Sequence, residues 1–319
     1  MLNKTETLLA KMGSDIWLTD GGFETSMIFQ EGFDLPQFAS FTLLDSDAGQ
    51  EAVRRYNTSF LDEAAAQKAG FILGTITWRA SAGWGKVLGL TADEIDRVNQ
   101  TAVAQVKSTQ AERAASGQSI LIEGVIGPHG DAYAPDQILT ANAAQDYHSR
   151  QVAVLASAGV DLITAMTISS HGEAIGIARA AQAVDVPVAL SFTVETDGRL
   201  ISGMTLEDAI KRTDEATDGV PAWYGINCAH PDHFRHVLTG DWVGRIGSVR
   251  ANASRLSHAE LDEAAELDAG DPAELARDYH QLLHVLPGLH VVGGCCGTDL
   301  RHVAAIGRSC LGHQHYGGV

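Results

Sequence analysis

Near its C-terminus the chain reads Val291-Val292-Gly293-Gly294-Cys295-Cys296-Gly297-Thr298-Asp299. An apolar run before two glycines and two adjacent cysteines predicts a strand, a tight turn and the start of a helix. Glycine allows the backbone to turn at a crowded point, and Thr298 or Asp299 can cap the following helix. Adjacent side chains on a strand point to opposite faces, so the turn must bend for both sulfur atoms to reach one point. A bound metal ion would give a reason for that bend.

A third cysteine follows another predicted strand, in Trp223-Tyr224-Gly225-Ile226-Asn227-Cys228. The next residues, His230-Pro231-Asp232, indicate the start of a further helix. Three of the four cysteines therefore lie at the predicted carboxyl ends of strands. The fourth, Cys310, lies in the pattern of the final helix, and we expect it to be a structural thiol.

The composition argues against several classes of protein. A net charge of −18 disfavours binding to nucleic acid or to an anionic membrane, because both need basic patches. Four cysteines in 319 residues do not make a disulfide framework, which favours a reducing compartment with metal-binding or catalytic thiols. We find no signal-peptide core and no apolar run of membrane-spanning length. We therefore expect a soluble cytoplasmic protein, and the sequence leaves open whether it forms a homo-oligomer.

Strand and helix patterns alternate along the whole chain. Predicted strands cover residues 16–19, 71–76, 119–126, 160–165 and 187–194, one run ending at Cys228, residues 245–250, and the run that carries Cys295 and Cys296. Residues 23–45 are predicted to be an irregular loop, and Thr91-Ala92-Asp93-Glu94 is a capping box.

Eight strand–helix units of this length predict a (β/α)8 barrel. A doubly wound sheet is the alternative, but its glycine fingerprint and a phosphate-binding loop motif are both missing from the sequence. Because no linker-like change in composition divides the chain, we expect one domain over residues 1–319.

In such a barrel the catalytic residues lie at the carboxyl ends of the strands. Asp20, Cys228, Cys295 and Cys296 all fall there. Three thiolates with an open fourth position are a known pattern for catalytic zinc, and the open position can take water or a substrate thiol. The negative charge of three thiolate ligands makes zinc less able to lower the pKa of a bound water. A substrate thiol, whose free pKa is about 8.5, can still be bound to the zinc as a thiolate. This would give a nucleophile suited to attack on a methyl carbon.

Five short motifs now carry a resemblance to a known family. They are Asp20-Gly21-Gly22, Gly127-Pro128, Ser191-Phe192-Thr193, Asn227-Cys228 and Gly293-Gly294-Cys295-Cys296-Gly297-Thr298. Over nearly its whole length the chain resembles the homocysteine S-methyltransferase family, and the last two motifs are the most specific. The resemblance implies a (β/α)8 barrel with Zn2+ held by Cys228, Cys295 and Cys296. It also implies transfer of a methyl group from a sulfonium, quaternary ammonium or folate donor to the zinc-bound thiolate of homocysteine.

The chain departs from the family pattern at the barrel mouth. Where the family has a Glu at the end of strand four that takes the substrate ammonium, this chain has Met166. Trp78-Arg79-Ala80-Ser81 follows strand two, and Arg250-Ala251-Asn252-Ala253-Ser254 follows strand seven, so the mouth loses a carboxylate and gains two arginines. Glu123 and Glu195, in predicted strands three and five, could substitute for the missing acid. Either the ammonium is held differently or the acceptor thiol is not homocysteine.

The residues assigned to substrate share a predicted place at this mouth: Asp20, Trp78, Arg79, Glu123, Met166, Glu195, Asn227 and Asn252. For Arg79 and Arg250, pairing with carboxylates at the mouth is favoured over binding substrate. Two other functions stay open. A zinc hydrolase would normally show His-x-His after strand one, where this chain has Leu18-Thr19-Asp20. The absence of the family Glu also makes a non-catalytic zinc- or thiol-binding relative conceivable. The small-molecule partners are thus a thiol acceptor and a methyl donor, and the donor cannot be identified from the sequence.

Overall fold

The computed structural model describes residues 2–133, 137–263 and 266–314. Eight parallel strands pair in chain order, and the last pairs with the first, so the sheet closes into a barrel. The strands are β1 (Trp17–Leu18), β2 (Gly70–Gly74), β3 (Ile120–Ile126), β4 (Leu162–Ile168), β5 (Val188–Phe192), β6 (Trp223–Asn227), β7 (Ile246–Ala251) and β8 (Val291–Gly294). The predicted (β/α)8 barrel is confirmed.

Helices separate the strands and surround the barrel. They are α1 (Lys4–Met12), α2 (Phe23–Phe29), α3 (Asp47–Ala66), α4 (Ala82–Val87), α5 (Ala92–Glu112), α6 (Ala141–Ala158), α7 (His171–Ala183), α8 (Leu206–Thr217), α9 (Pro231–Phe234), α10 (His258–Asp262), α11 (Pro272–Val285) and α12 (Leu300–Gln314). The capping box of Thr91 and Glu94 begins α5 as predicted. Asp299 rather than Thr298 caps α12, since its Oδ1 accepts the Arg301 N–H at 2.9 Å. None of these described helices is both long and apolar enough to cross a membrane.

Helix α1 closes the amino end of the barrel. Leu8 and Met12 on this helix are buried against Trp17 at the base of β1, and the Trp17 indole N–H donates to the Met12 carbonyl at 3.1 Å. Buried apolar side chains from other strand bases, including Trp223, complete this lower core. Apolar side chains of the described residues therefore fill the amino end of the barrel.

Three of the differences from the sequence prediction affect residues near the site. Residues 23–45 are not an irregular loop, because α2 and two short 3-10 helices form there. Strand β4 is longer than predicted and continues to Ile168, which places Met166 inside it. Strand β5 is shorter and ends at Phe192, so Glu195 lies beyond the strand. A turn, in which the Glu195 N–H donates to the Arg199 carbonyl at 2.8 Å, takes Glu195 out of the sheet.

Candidate active site

A cavity of about 240 Å³ opens at the carboxyl ends of the strands. This volume suits a small molecule rather than a polymer. Seven strands, all except β5, contribute to its wall a residue that lies in the strand or just after it: Asp20, Gly74, Glu123, Met166, Asn227, Arg250 and Gly294. Trp78, Arg79, Cys228, Cys295 and Cys296 also line it. Most of the residues predicted from the sequence therefore meet at one place.

The three cysteines predicted to bind metal converge on this cavity. Their Sγ atoms all lie within 4.8 Å of one another. Cys228 and Cys295 are joined by a disulfide, whereas Cys296 is outside it and exposed. Zinc–sulfur bonds of about 2.3 Å in a tetrahedron separate sulfur ligands by roughly 3.8 Å. Once the disulfide is reduced, the three thiolates thus fit a three-cysteine zinc site with an open fourth position.

Two glycines allow the turn after β8 to form. A Cβ atom on Gly293 would overlap Thr19 at the end of β1, and one on Gly294 would overlap the Thr298 hydroxyl. That hydroxyl donates to the Cys295 carbonyl at 2.7 Å, which fixes the turn. Close packing of β1, β8 and the turn therefore explains the glycine pair before the cysteines.

Asn227 organises the ends of β4 and β6 around Cys228. Thr167 and Cys228 have φ angles of 63° and 53°, in the left-handed region that β-branched residues such as Thr rarely adopt. The Asn227 Oδ1 accepts the Thr167 N–H at 2.8 Å, and its Nδ2 donates to the Thr167 hydroxyl at 2.9 Å. The same Nδ2 lies 4.0 Å from the Cys295 Sγ. Strained backbone held by a buried amide at this point is typical of a functional site.

A buried ionic triad forms one wall of the cavity. The Arg250 Nη1 donates to Glu123 Oε1 at 2.9 Å, and its Nη2 donates to Asp20 Oδ1. The second Glu123 oxygen accepts the Thr164 hydroxyl at 2.7 Å. Burial raises the pKa of both Asp20 and Glu123, and the Arg250 charge opposes that rise. The predicted pairing of Arg250 with carboxylates at the mouth is confirmed, and it occupies two acids assigned to substrate.

The remaining predicted residues differ in their placement. Met166 lines the cavity, as predicted for the position of the missing family Glu. Glu195 is not among the described residues that line it, because it lies beyond β5. Asn252 does not line it either. Its Nδ2 donates to the Cys228 carbonyl at 3.1 Å, so it supports the backbone of a proposed metal ligand.

Two acids of the cavity wall, Asp131 and Glu24, were not predicted from the sequence. Asp131 is exposed, whereas Glu24 is partly buried. Glu24 lies in the first turn of α2, inside the segment predicted to be an irregular loop. Among the described residues, no Lys, Arg or His lies within ion-pair distance of its carboxylate. Burial is the main reason that its pKa is raised.

Comparisons with known proteins agree with this geometry. A family model described as homocysteine S-methyltransferase matches residues 17–310. Homocysteine S-methyltransferase 1 of Arabidopsis thaliana is 23% identical over 328 residues, which cover 95% of each chain. The crystal structure of the homocysteine methyltransferase MmuM from Escherichia coli in its oxidised form aligns with a TM-score of 0.74 and 22% identity, over 96% of this chain and 99% of that one. The metallated form of MmuM aligns over the same shares with a TM-score of 0.69 and 21% identity.

Proposed function

We propose, since the chain belongs to the homocysteine S-methyltransferase family, that it moves a methyl group from a sulfonium or quaternary ammonium donor to the sulfur of homocysteine, giving methionine. The convergence of Cys228, Cys295 and Cys296 at the open end of the barrel carries this proposal. We assign zinc to these three thiolates. When bound there, the ion would keep an acceptor thiol ionised at neutral pH.

The transfer itself is a displacement at carbon. The acceptor thiol gives up its proton to water, and its sulfur forms a bond to the methyl carbon. The carbon–sulfur or carbon–nitrogen bond of the donor breaks, its electron pair stays on the donor atom, and the positive charge there disappears. Phe23, Phe38 and Trp78 line the cavity, and aromatic faces attract cationic methyl groups. These three side chains would therefore orient the donor.

The acceptor ammonium requires a carboxylate, and we assign that role to Glu24. Asp20 and Glu123 share the charge of Arg250. Glu24 lines the same cavity without an ion pair to any described residue. It is thus the acid best placed to replace the one missing at Met166.

Replacement of Glu24 by Gln tests this role. A charge-assisted hydrogen bond contributes roughly 1.5–3 kcal/mol, so we expect Glu24→Gln to raise the KM for homocysteine about 10- to 100-fold. The KM for 4-mercaptobutanoate, which lacks the amine, should change little. Adding Met166→Glu to Glu24→Gln should recover part of the homocysteine affinity. Glu112→Gln, on the far end of α5, is the matched control. Equal losses for both thiols would contradict the assignment.

The overall activity is tested with reduced, zinc-loaded protein. Homocysteine is supplied with S-methylmethionine, betaine or methyltetrahydrofolate, and methionine is measured by mass spectrometry. We expect methionine with S-methylmethionine or betaine, and none after the zinc is removed by a chelator. A fully zinc-loaded protein that makes methionine from neither cationic donor would contradict the proposal.

We further propose that residues 1–319 form one domain and that the protein works in the cytoplasm. What supports the single domain is that barrel strands are drawn from Trp17 to Gly294. Three thiolate ligands need a reducing compartment, which supports the location. The proposed partners are the two small-molecule substrates.

A further inference from the structure

Two arginines line the cavity, and they differ in whether an ion pair neutralises their charge. Arg250 forms ion pairs with both Asp20 and Glu123. Arg79 is only 6% exposed, yet no described carboxylate lies within 4 Å of its nitrogens, so the pairing with a carboxylate that was predicted for it is wrong. The charges of Asp131 and Glu24, on the same cavity wall, favour the cationic form of Arg79. A buried charge without a close ion pair is still costly. The ionic triad of Asp20, Glu123 and Arg250 therefore does not explain why a second arginine lines this cavity.

Two tryptophans hold the Arg79 guanidinium by its faces. Its Cζ lies 4.1 Å from the ring centroid of Trp78 and 3.7 Å from that of Trp84. Both indoles are fixed in turn, since Trp78 donates to the Met166 carbonyl at 3.3 Å and Trp84 donates to the Pro128 carbonyl at 3.4 Å. The plane of the guanidinium is thus set before any ligand arrives, which reduces the entropy lost on binding.

The hydrogen bonds of the Arg79 guanidinium show which of its N–H groups remain available to a ligand. Nη1 donates to the Gly130 carbonyl at 3.1 Å, and Nε is buried without an acceptor. Nη2 forms no hydrogen bond with a described residue and is not among the atoms sealed from solvent. Burial lowers the pKa of Arg79 to about 10, so the side chain is cationic at neutral pH. An oriented, charged edge therefore faces space that a ligand can reach.

We infer that Arg79 binds a carboxylate of one of the two substrates, through the guanidinium edge that carries Nη2. Guanidinium and carboxylate match in shape and charge, and such bonds are among the stronger ones in proteins. The two indole faces favour a cation but leave the guanidinium edge free of a counter-ion. A substrate carboxylate at that edge would explain why it is directed at the cavity. The inference rests on the proposed function for the identity of the substrates. The carboxylate can belong to homocysteine or to an amino-acid or betaine-type methyl donor.

Matched ligand pairs separate these two sources. The acceptor pair is homocysteine and 3-aminopropane-1-thiol, and the donor pair is S-methylmethionine and (3-aminopropyl)dimethylsulfonium. The second member of each pair lacks only the carboxylate. Calorimetric titration of reduced, zinc-loaded full chain should show, for one pair, a Kd about 10- to 100-fold weaker without the carboxylate. Arg79→Gln should abolish that difference by weakening the carboxylate-bearing ligand alone.

Two further variants complete the test. Arg79→Lys keeps the charge but not the planar fork, so it should retain part of the difference, even if Arg79→Gln fails to fold. Arg277→Gln, whose side chain is 65% exposed, should behave like the wild type. The inference is overturned if neither pair shows a difference in the wild type, or if the difference persists unchanged in the Arg79 variants. Methionine production is measured separately. Carboxylate-dependent binding without turnover would therefore count against the proposed function and not against Arg79.

Discussion

Cys296→Ala protein should purify without zinc, whereas the reduced wild type should hold about one zinc per chain. In this variant the remaining thiolates are Cys228 and Cys295, which follow different strands and offer only half of a tetrahedral shell. In zinc proteins, mutation of a residue that only hydrogen-bonds a metal ligand lowers metal affinity or activity about 10- to 100-fold. Loss of a ligand itself should have a larger effect. We therefore expect methyl transfer to fall by more than about 100-fold. Metal content by mass spectrometry and methionine formation are the two measurements.

Cys310→Ala provides the matched control. Cys310 is fully buried in α12, and burial raises the pKa of its thiol to about 12, so it is a poor ligand. Its replacement should leave zinc content and turnover close to those of the wild type. The barrel itself should survive Cys296→Ala, because Cys296 is exposed and outside the apolar core, and circular dichroism would show this. Full zinc occupancy in the Cys296 variant, or zinc loss in the Cys310 variant, would mean that the ligand set is wrong.

The barrel and its cysteines could be predicted because their signals are local. Glycines followed by cysteines at the end of an apolar run indicate a strand end, and the order of strands in a (β/α)8 barrel follows the order of the chain. Two strand ends that are distant in sequence, at Cys228 and Cys295, could therefore be placed together. The ends of the strands were predicted less accurately than their order. Glu195 was placed in β5 because an apolar run continues to Val194, but the backbone turns away after Phe192.

Partners across the barrel could not be predicted, because no sequence signal specifies them. Arg79 follows β2 and Arg250 lies near the carboxyl end of β7, and the same two functions stayed open for each. The structure shows that Arg250 meets two acids from β1 and β3, while Arg79 meets two indoles. Glu24 was missed for a related reason. Helix α2 is only seven residues long, so its periodicity was too short to distinguish from a loop.

The ionic triad makes Arg250 important for stability as well as for the cavity. Arg250→Met would leave Asp20 and Glu123 buried without a counter-charge. Removal of one partner from a buried ion pair costs about 3–5 kcal/mol, and we expect a loss of that size in the free energy of unfolding measured in urea. Arg54→Met is the matched control. Arg54 pairs with Glu51 on the exposed face of α3, where such a pair contributes about 0–1 kcal/mol.

The pH dependence of the Arg250→Met protein tests the cause of its instability. Burial already raises the pKa of Asp20 and Glu123 in the wild type, and loss of the opposing Arg250 charge should raise both further. A carboxyl whose pKa is higher in the folded than in the unfolded state stabilises the fold below the unfolded value, and this contribution is lost as pH rises through the folded value. The deficit against the wild type should therefore be smaller near pH 5 than near pH 8. Adding Asp20→Asn and Glu123→Gln should recover much of the stability at pH 8, because no uncompensated charge then remains. A deficit below about 1 kcal/mol at both pH values would contradict a charged triad.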